Sequence, residues 1–333
     1  MLPSVNINLN ISSDSLGIAK LVDTLAKGVG TLYAPIHIRK KGKAEAERIQ
    51  SITEACRNSI DIPFNYKQDG LIIDTDKEWV DLAKRTVLRN LVQEMNKQHN
   101  IENVVSCARD ILEHEQEVSR EPVSQTWLSN FFESAGYVEE EDLQKIWGKL
   151  LAGEIKGPGS YSLRTLNALR NMTSKEAKIF QKIVNFSVRI GKNYFLPNQK
   201  NLSKKFNLPY EELLLLAENN LLTVDENLQT EGTVKAGDSH PIIYNNLIAN
   251  ISTTSSKEIP IHLRIFPFTS IGKELMHLTQ IVPNQSFFIE YVKQIESQFR
   301  NTKTHIYKIN KINVINGQEM CDCDMEHPIY PEK

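Results

Sequence analysis

Between Leu143 and Leu151 the chain sets Leu143, Ile146, Trp147, Leu150 and Leu151 at i, i+3, i+4, i+7 and i+8, and soon afterwards it ends the pattern with Gly157-Pro158-Gly159. No other stretch constrains the fold as strongly. The spacing lays one apolar stripe along a helix. Glycine relieves backbone strain at the stop, and proline cannot continue the hydrogen-bond ladder. Ser160 is placed to cap the next helix, which carries Leu163, Leu166 and Leu169. Thr173 and Glu176 then stand at capping-box spacing for another helix, through Phe180 and Val184. The middle of the chain is therefore expected to be packed helices joined by short turns.

Helical spacing also reads upstream. Ile18, Val22, Leu25, Val29 and Leu32 form one stripe with Lys20, Asp23 and Lys27 off it, which excludes a membrane span. The heptad-like steps make a helix–helix contact between subunits the favoured use of this stripe, with a membrane surface as a further reading. The basic run from His37 to Lys43 offers Arg39, Lys40, Lys41 and Lys43 as ligands for phosphate, nucleic acid or lipid headgroups. Pro63 to Gly70 reads as a loop, and Trp79 to Glu117 as helix with a break near Asn100. Trp127, Leu128, Phe131 and Phe132 again fall at helical spacing.

Beyond Gly191 the texture changes. Tyr194-Phe195-Leu196 is strand-like, NQKNLSKKFN and PYEELLLLAENN are helical, and a polar Gly- and Asp-rich stretch precedes two β-prone runs, Ile242 to Ile251 and Ile261 to Phe268. That order is the order of a winged helix, closed by FTSIGKELMHL. A helix from Ser286 to Phe299 and the strand HIYKINKINVI follow. The expected fold is mainly α: a helical N-terminal two-thirds, then an α+β, winged-helix-like C-terminal part. The expected divisions are 1–60, 61–171, 172–282 and 283–333. A recognition helix near Pro209 to Asn219 would carry Glu211, Glu212 and Glu218, which oppose phosphate.

A length of 333 residues fits two or three domains, and 40% hydrophobic with 24% charged residues excludes wholesale disorder. The net charge of -2 supplies no global field toward nucleic acid, so such binding would need a local patch. The opening residues show no basic region leading into an apolar core, and no apolar run approaches bilayer length, so the expected location is cytoplasmic. Phosphate-binding loop, nucleophile-elbow, zinc-protease and dinucleotide motifs are all missing from the sequence.

Three clusters carry chemistry-bearing side chains. Arg109 and His114 reproduce the spacing of the HEPN ribonucleases, in which histidine serves as general acid or base and arginine neutralises the scissile phosphate. His114 lies among Glu113, Glu115 and Glu117, so a solvated helix face is the competing reading. Cys321, Cys323 and His327 are three zinc-type ligands where a closed site needs four. His305 or a second subunit would complete it; the alternative is a disordered acidic tail with reduced thiols, and no cofactor is required. Finally, Trp147, Glu154, Pro158, Ser160 and Arg164 form a structural motif, with Glu154 and Arg164 expected as an ion pair tying two helices together.

The core WGKLLAGEI at Trp147–Ile155, with Pro158-Gly159-Ser160 and Ser162-Leu163-Arg164-Thr165-Leu166, resembles an uncharacterised bacterial family known only as a domain of unknown function. A looser version of the pattern occurs in abortive-infection alpha proteins. The segment LAKGVGTLYAPIHIRKKGKAEAERI is similar to the start of the same family. The resemblance implies no established activity and supplies no catalytic residues. The abortive-infection likeness points to phage defence. Together with the subunit-contact stripe and the missing catalytic motifs it gives, as the expected function, a sensor or scaffold, a homo-oligomer with a phage protein as its candidate trigger. A ribonuclease toxin acting on RNA and a DNA-binding regulator are the alternatives.

Overall fold

The computed structural model describes residues 16–28, 54, 64–67, 70–73, 82–315 and 318–331. The chain divides into two compact units, Met1–Arg170 and Asn171–Lys333.

The first unit holds α1 (Leu16–Gly28), the strands β1 (Phe64–Lys67) and β2 (Gly70–Ile73), α2 (Leu82–Leu112), α3 (Gln125–Ala135), α4 (Glu141–Lys156) and α5 (Leu163–Arg170). The expected stripe of α4 is buried: Trp147, Leu150 and Leu151 are fully enclosed. Its Gly148 lets α4 lie directly on α2, because a Cβ there would stand 2.4 Å from Cys107 Cβ and 3.0 Å from the Ala108 nitrogen. Phe131 joins the helices, stacking on Trp127 at 5.0 Å and tilting toward Trp147 at 5.3 Å.

Two expectations for this unit are corrected. Asn100 does not break α2; it is buried, and its side-chain nitrogen donates to the Gly136 carbonyl at 2.8 Å. A polar residue inside a helix is tolerated when a tertiary partner satisfies it. The expected loop at Pro63 to Gly70 instead contains β1, which pairs antiparallel with β2 from Phe64↔Ile73 to Lys67↔Gly70. Helix α1 packs on α2, α3 and α4 of its own chain. Of the expected stripe Ile18 and Leu25 are buried and Val22 half-buried, Leu21 is buried beside them, and Val29 and Leu32 lie outside the described residues. Gly17 lies so close to α2 that a Cβ would meet the Leu112 carbonyl at 2.5 Å. Within the described residues, Ile18 and Leu25 of the stripe are therefore used for packing inside the chain.

The second unit opens with α6 (Ser174–Val184), whose capping box is present: Glu176 N donates to Thr173 Oγ1 at 3.2 Å, and Thr173 N to Glu176 Oε2 at 2.7 Å. Then come β3 (Val188–Ile190), β4 (Asn193–Pro197), α7 (Lys200–Lys205), α8 (Tyr210–Glu218), β5 (Gln229–Val234), β6 (Ser239–Tyr244), β7 (Leu247–Thr253) and β8 (Ile259–Pro267). After them follow α9 (Ser270–Met276), α10 (Gln285–Gln298), β9 (Thr302–Ile315) and β10 (Gln318–Cys323). Eight strands form one antiparallel sheet in the order β10-β9-β7-β6-β3-β4-β8-β5.

That sheet overturns the mainly α, winged-helix-like expectation. The structure is 48% helix and 22% strand, and the sheet far exceeds the small wing expected. The polar stretch expected as a connection forms β5 and the start of β6. The β-prone run at Ile242 to Ile251 is two strands, reversed at Asn245-Asn246, with Asn245 in the left-handed region at φ 53°. Asparagine tolerates that conformation because its side chain bonds locally.

The sheet curls until β5 packs against β6 and β7. One face of the α10 helix, Phe287, Phe288, Tyr291, Val292 and Ile295, fills the curl against Ile242, Tyr244, Ala249, Ile251, Leu263 and Ile306. On β8 the alternation is regular, with Ile261, Leu263 and Ile265 inward and His262 and Arg264 outward.

Candidate functional site

In the first unit the Trp147–Arg164 motif is built around a buried carboxylate. Glu154 sits on the last turn of α4 and is 1% exposed. Its Oε1 accepts from Gly159 N at 2.7 Å and its Oε2 from Tyr161 N at 3.0 Å. The turn at Gly157-Pro158-Gly159 presents these amides, with Gly159 at φ 86°. Tyr161 then folds over Gly153, and its carbonyl accepts from Trp127 Nε1 at 2.9 Å. Ser160 Oγ donates to the Gly157 carbonyl within the turn, so it braces the turn and does not cap α5. Arg164, expected as the ion-pair partner of Glu154, is exposed, while both Glu154 oxygens hold the turn. Lys20 of α1 lies in the field of Glu154 and Glu121 and donates to the Ser119 carbonyl at 2.5 Å; burial pushes its ammonium below the usual lysine range.

Arg109 and His114 stand on either side of the end of α2. Arg109 lies near the end of α2, and its guanidinium donates to Asp110 Oδ1 at 2.6 and 3.1 Å. The helix ends at Leu112, and His114 is exposed in the turn beyond it. Arg39, Lys40, Lys41 and Lys43 lie outside the described residues.

Residues 318–331 form β10 and a return beside β9, where a disordered tail was expected. Cys321 and Cys323 belong to β10, and burial raises both thiols above the usual range. His327 is exposed, with Nδ1 3.1 Å from Asp324 Oδ1. Among the described residues no three or more His, Cys, Asp or Glu side chains are grouped to hold a metal. The tail is pinned at Tyr330, whose hydroxyl donates to Glu296 Oε2 at 2.7 Å while Glu296 Oε1 accepts from Thr304 N at 2.8 Å. Burial, then the Glu296 carboxylate, pushes the Tyr330 phenol up to about 12.

A feature the sequence reading missed is the arm made by β9 and β10. Thr302 to Lys308 of β9 pair with β7, and Ile309 to Ile315 pair with β10, so the hairpin runs on past the last partner on β7. Near its tip Val314 is 68% exposed, with Ile312 on the same face at 40%, and Met320, paired with Asn313 on the opposite face, is 57% exposed. Arg189 of β3, itself largely buried, steadies the arm by donating to Glu319 Oε2 at 2.5 Å. The available signal was the apolar residues of KINKINVI, Ile309, Ile312, Val314 and Ile315, in a β-prone run.

Set beside known proteins, the sequence from α2 into α10 matches one family model, over residues 84–293. The chain belongs to the DUF2806 family. Its description is "Protein of unknown function (DUF2806)". No curated protein and no solved structure matches the chain. The DUF2806 match takes in α4, the Glu154 turn and the curled sheet as far as β8, and it ends before the arm. No helix among the described residues is long and apolar enough to cross a membrane.

Proposed function

We propose that this DUF2806 protein is a sensor or scaffold of a phage-defence response, and that it works by holding a protein partner on the β9–β10 arm. The observation that carries the reading is the exposure of Val314 and Met320 on a hairpin extending beyond its sheet. Isolated exposed apolar side chains are ordinary, but here Ile312 and Val314 share one face of the paired hairpin and Met320, opposite Asn313, stands on its other face, so the arm offers apolar contact on both sides. Aliphatic and methionine side chains in such a place supply adaptable apolar contact. The likeness of the Trp147–Leu166 segment to abortive-infection alpha proteins is what points to defence.

The test is a phage challenge of cells expressing the wild type or the double variant Val314→Lys/Met320→Lys. Both side chains face solvent, so the variant is expected to fold. Plaque numbers should rise to the level of cells lacking the protein. Full protection by the double variant would remove the arm from the mechanism, and no protection by the wild type would remove the defence role.

A further inference from the structure

The eight-stranded sheet has two ends. At one, β5 turns back on β6 and β7, and the Gly232 backbone lies against the His240 ring, with an ideal Cβ 2.8 Å from Cε1. That edge is covered by the curl. At the other, β10 pairs with β9 alone. The chain then returns beside β9, where Asp324 N donates to the Lys308 carbonyl and Ile329 N to the Ile306 carbonyl. It does not cross the outer side of β10. Among the described residues nothing pairs with that side, so alternate N–H and C=O groups of Gln318–Cys323 face outward.

Open edges are usually blunted by lysine, proline or a short length. Here the strand has neither lysine nor proline, and its one irregularity is the register shift at Asp322/Cys323. Its charge is acidic: Glu319 and Asp322, followed by Asp324 and Glu326. Asp322 is exposed and makes no ion pair with Lys311, its cross-strand neighbour. For a second copy, the register that pairs the whole strand is disfavoured by charge. Antiparallel self-pairing centred between Met320 and Cys321 would set Glu319 directly opposite Asp322 twice, and directly opposed like charges destabilise a strand pair.

We propose that the outer edge of β10 binds an extended basic peptide segment of a partner protein as an added strand. Main-chain hydrogen bonds supply the affinity. A lysine or arginine near Asp322 and an apolar residue beside Met320 supply the selection. The inference rests on the arm being a protein-binding element and names the chemistry of what it holds.

The probe is a fluorescein-labelled nonapeptide of alternating lysine and valine, titrated against the full chain by anisotropy. Three companions are measured: the same peptide N-methylated at alternate backbone nitrogens, a glutamate–valine peptide, and the Asp322→Lys protein. Asp322 is chosen because Glu319 is engaged with Arg189. Binding of the lysine–valine peptide should weaken at least about tenfold in each of the three, as expected for lost main-chain hydrogen bonds or an inverted charge. Amides 318–323 should also gain hydrogen-exchange protection when the peptide is bound. Absence of binding, indifference to N-methylation, or equal binding of the acidic peptide would each overturn the proposal. So would protection of 318–323 that appears on raising the protein concentration without peptide, since a second copy would then occupy the edge. None of these outcomes touches the Val314→Lys/Met320→Lys phage assay, so the broader reading stands or falls separately.

Discussion

Replacing Glu154 with glutamine keeps the shape of the side chain and removes one of its two acceptor oxygens. The carboxylate receives Gly159 N at 2.7 Å and Tyr161 N at 3.0 Å in a position that is 1% exposed. A hydrogen bond to a charged group contributes about 1.5–3 kcal/mol, and leaving a buried amide unpaired costs a comparable amount. Glu154→Gln confronts one of these amides with a side-chain NH2 group, so the first unit should lose roughly 2–4 kcal/mol. With a urea slope of about 2 kcal/mol/M, the unfolding midpoint falls by roughly 1–2 M. Tryptophan fluorescence reports this transition cleanly, because Trp79, Trp127 and Trp147 all precede residue 171. The amides of Gly159 and Tyr161 should exchange faster in the same variant. The opposite sign is informative: a carboxylate buried for chemistry is retained at the expense of stability, and its removal is neutral or stabilising. A midpoint equal to or above that of the wild type would refute the structural role argued for Glu154.

Gly148→Ala tests the α2–α4 contact. In an exposed helix the change would gain about 1 kcal/mol, but here the new Cβ meets Cys107 Cβ at 2.4 Å and backbone atoms at 3.0 Å, so the melting temperature should fall. His240 tests the curl of the sheet: its Nε2 is buried without a partner, and burial holds the folded-state imidazole below its ordinary value of 6.5. Above that pH both states are neutral. As pH falls below 6.5 the unfolded chain takes up the proton first, so the second unit loses stability, no more steeply than about 1.4 kcal/mol per pH unit. His240→Gln should flatten that dependence in urea titrations followed by circular dichroism between pH 7 and about pH 5, and an unchanged slope would assign it to another group. His114→Ala should leave cellular RNA as intact as the wild type does, because Arg109 is turned to Asp110 and His114 lies past the helix end. RNA cleavage by the wild type that vanishes in this variant would reinstate the ribonuclease reading.

The helices were legible because their signals are local. The stripe of Leu143, Ile146, Trp147, Leu150 and Leu151, the stop at Gly157-Pro158-Gly159 and the Thr173–Glu176 box each lie within a few turns of chain, and α4 and α6 form where these signals put them. The positions of α10 and β9 were readable for the same reason. The sheet was not, because its order is set by pairings far apart in sequence, such as β4 with β8 and β7 with β9. Strand β5 carries almost no apolar signal: it ends the hydrogen-bonded sheet, alternates exposed with half-buried positions and has Gly232 in its middle. Strand β7 fails in the other direction, since Leu247, Ile248 and Ala249 are buried in succession and show no alternation. The same distinction separates the candidate sites. Spacing alone could align Arg109 with His114, yet it could not show that α2 ends between them. Nor could it show that the Glu154 carboxylate, expected to pair with Arg164, accepts from the Gly159 and Tyr161 amides of the turn after its helix, while Arg164 stands exposed.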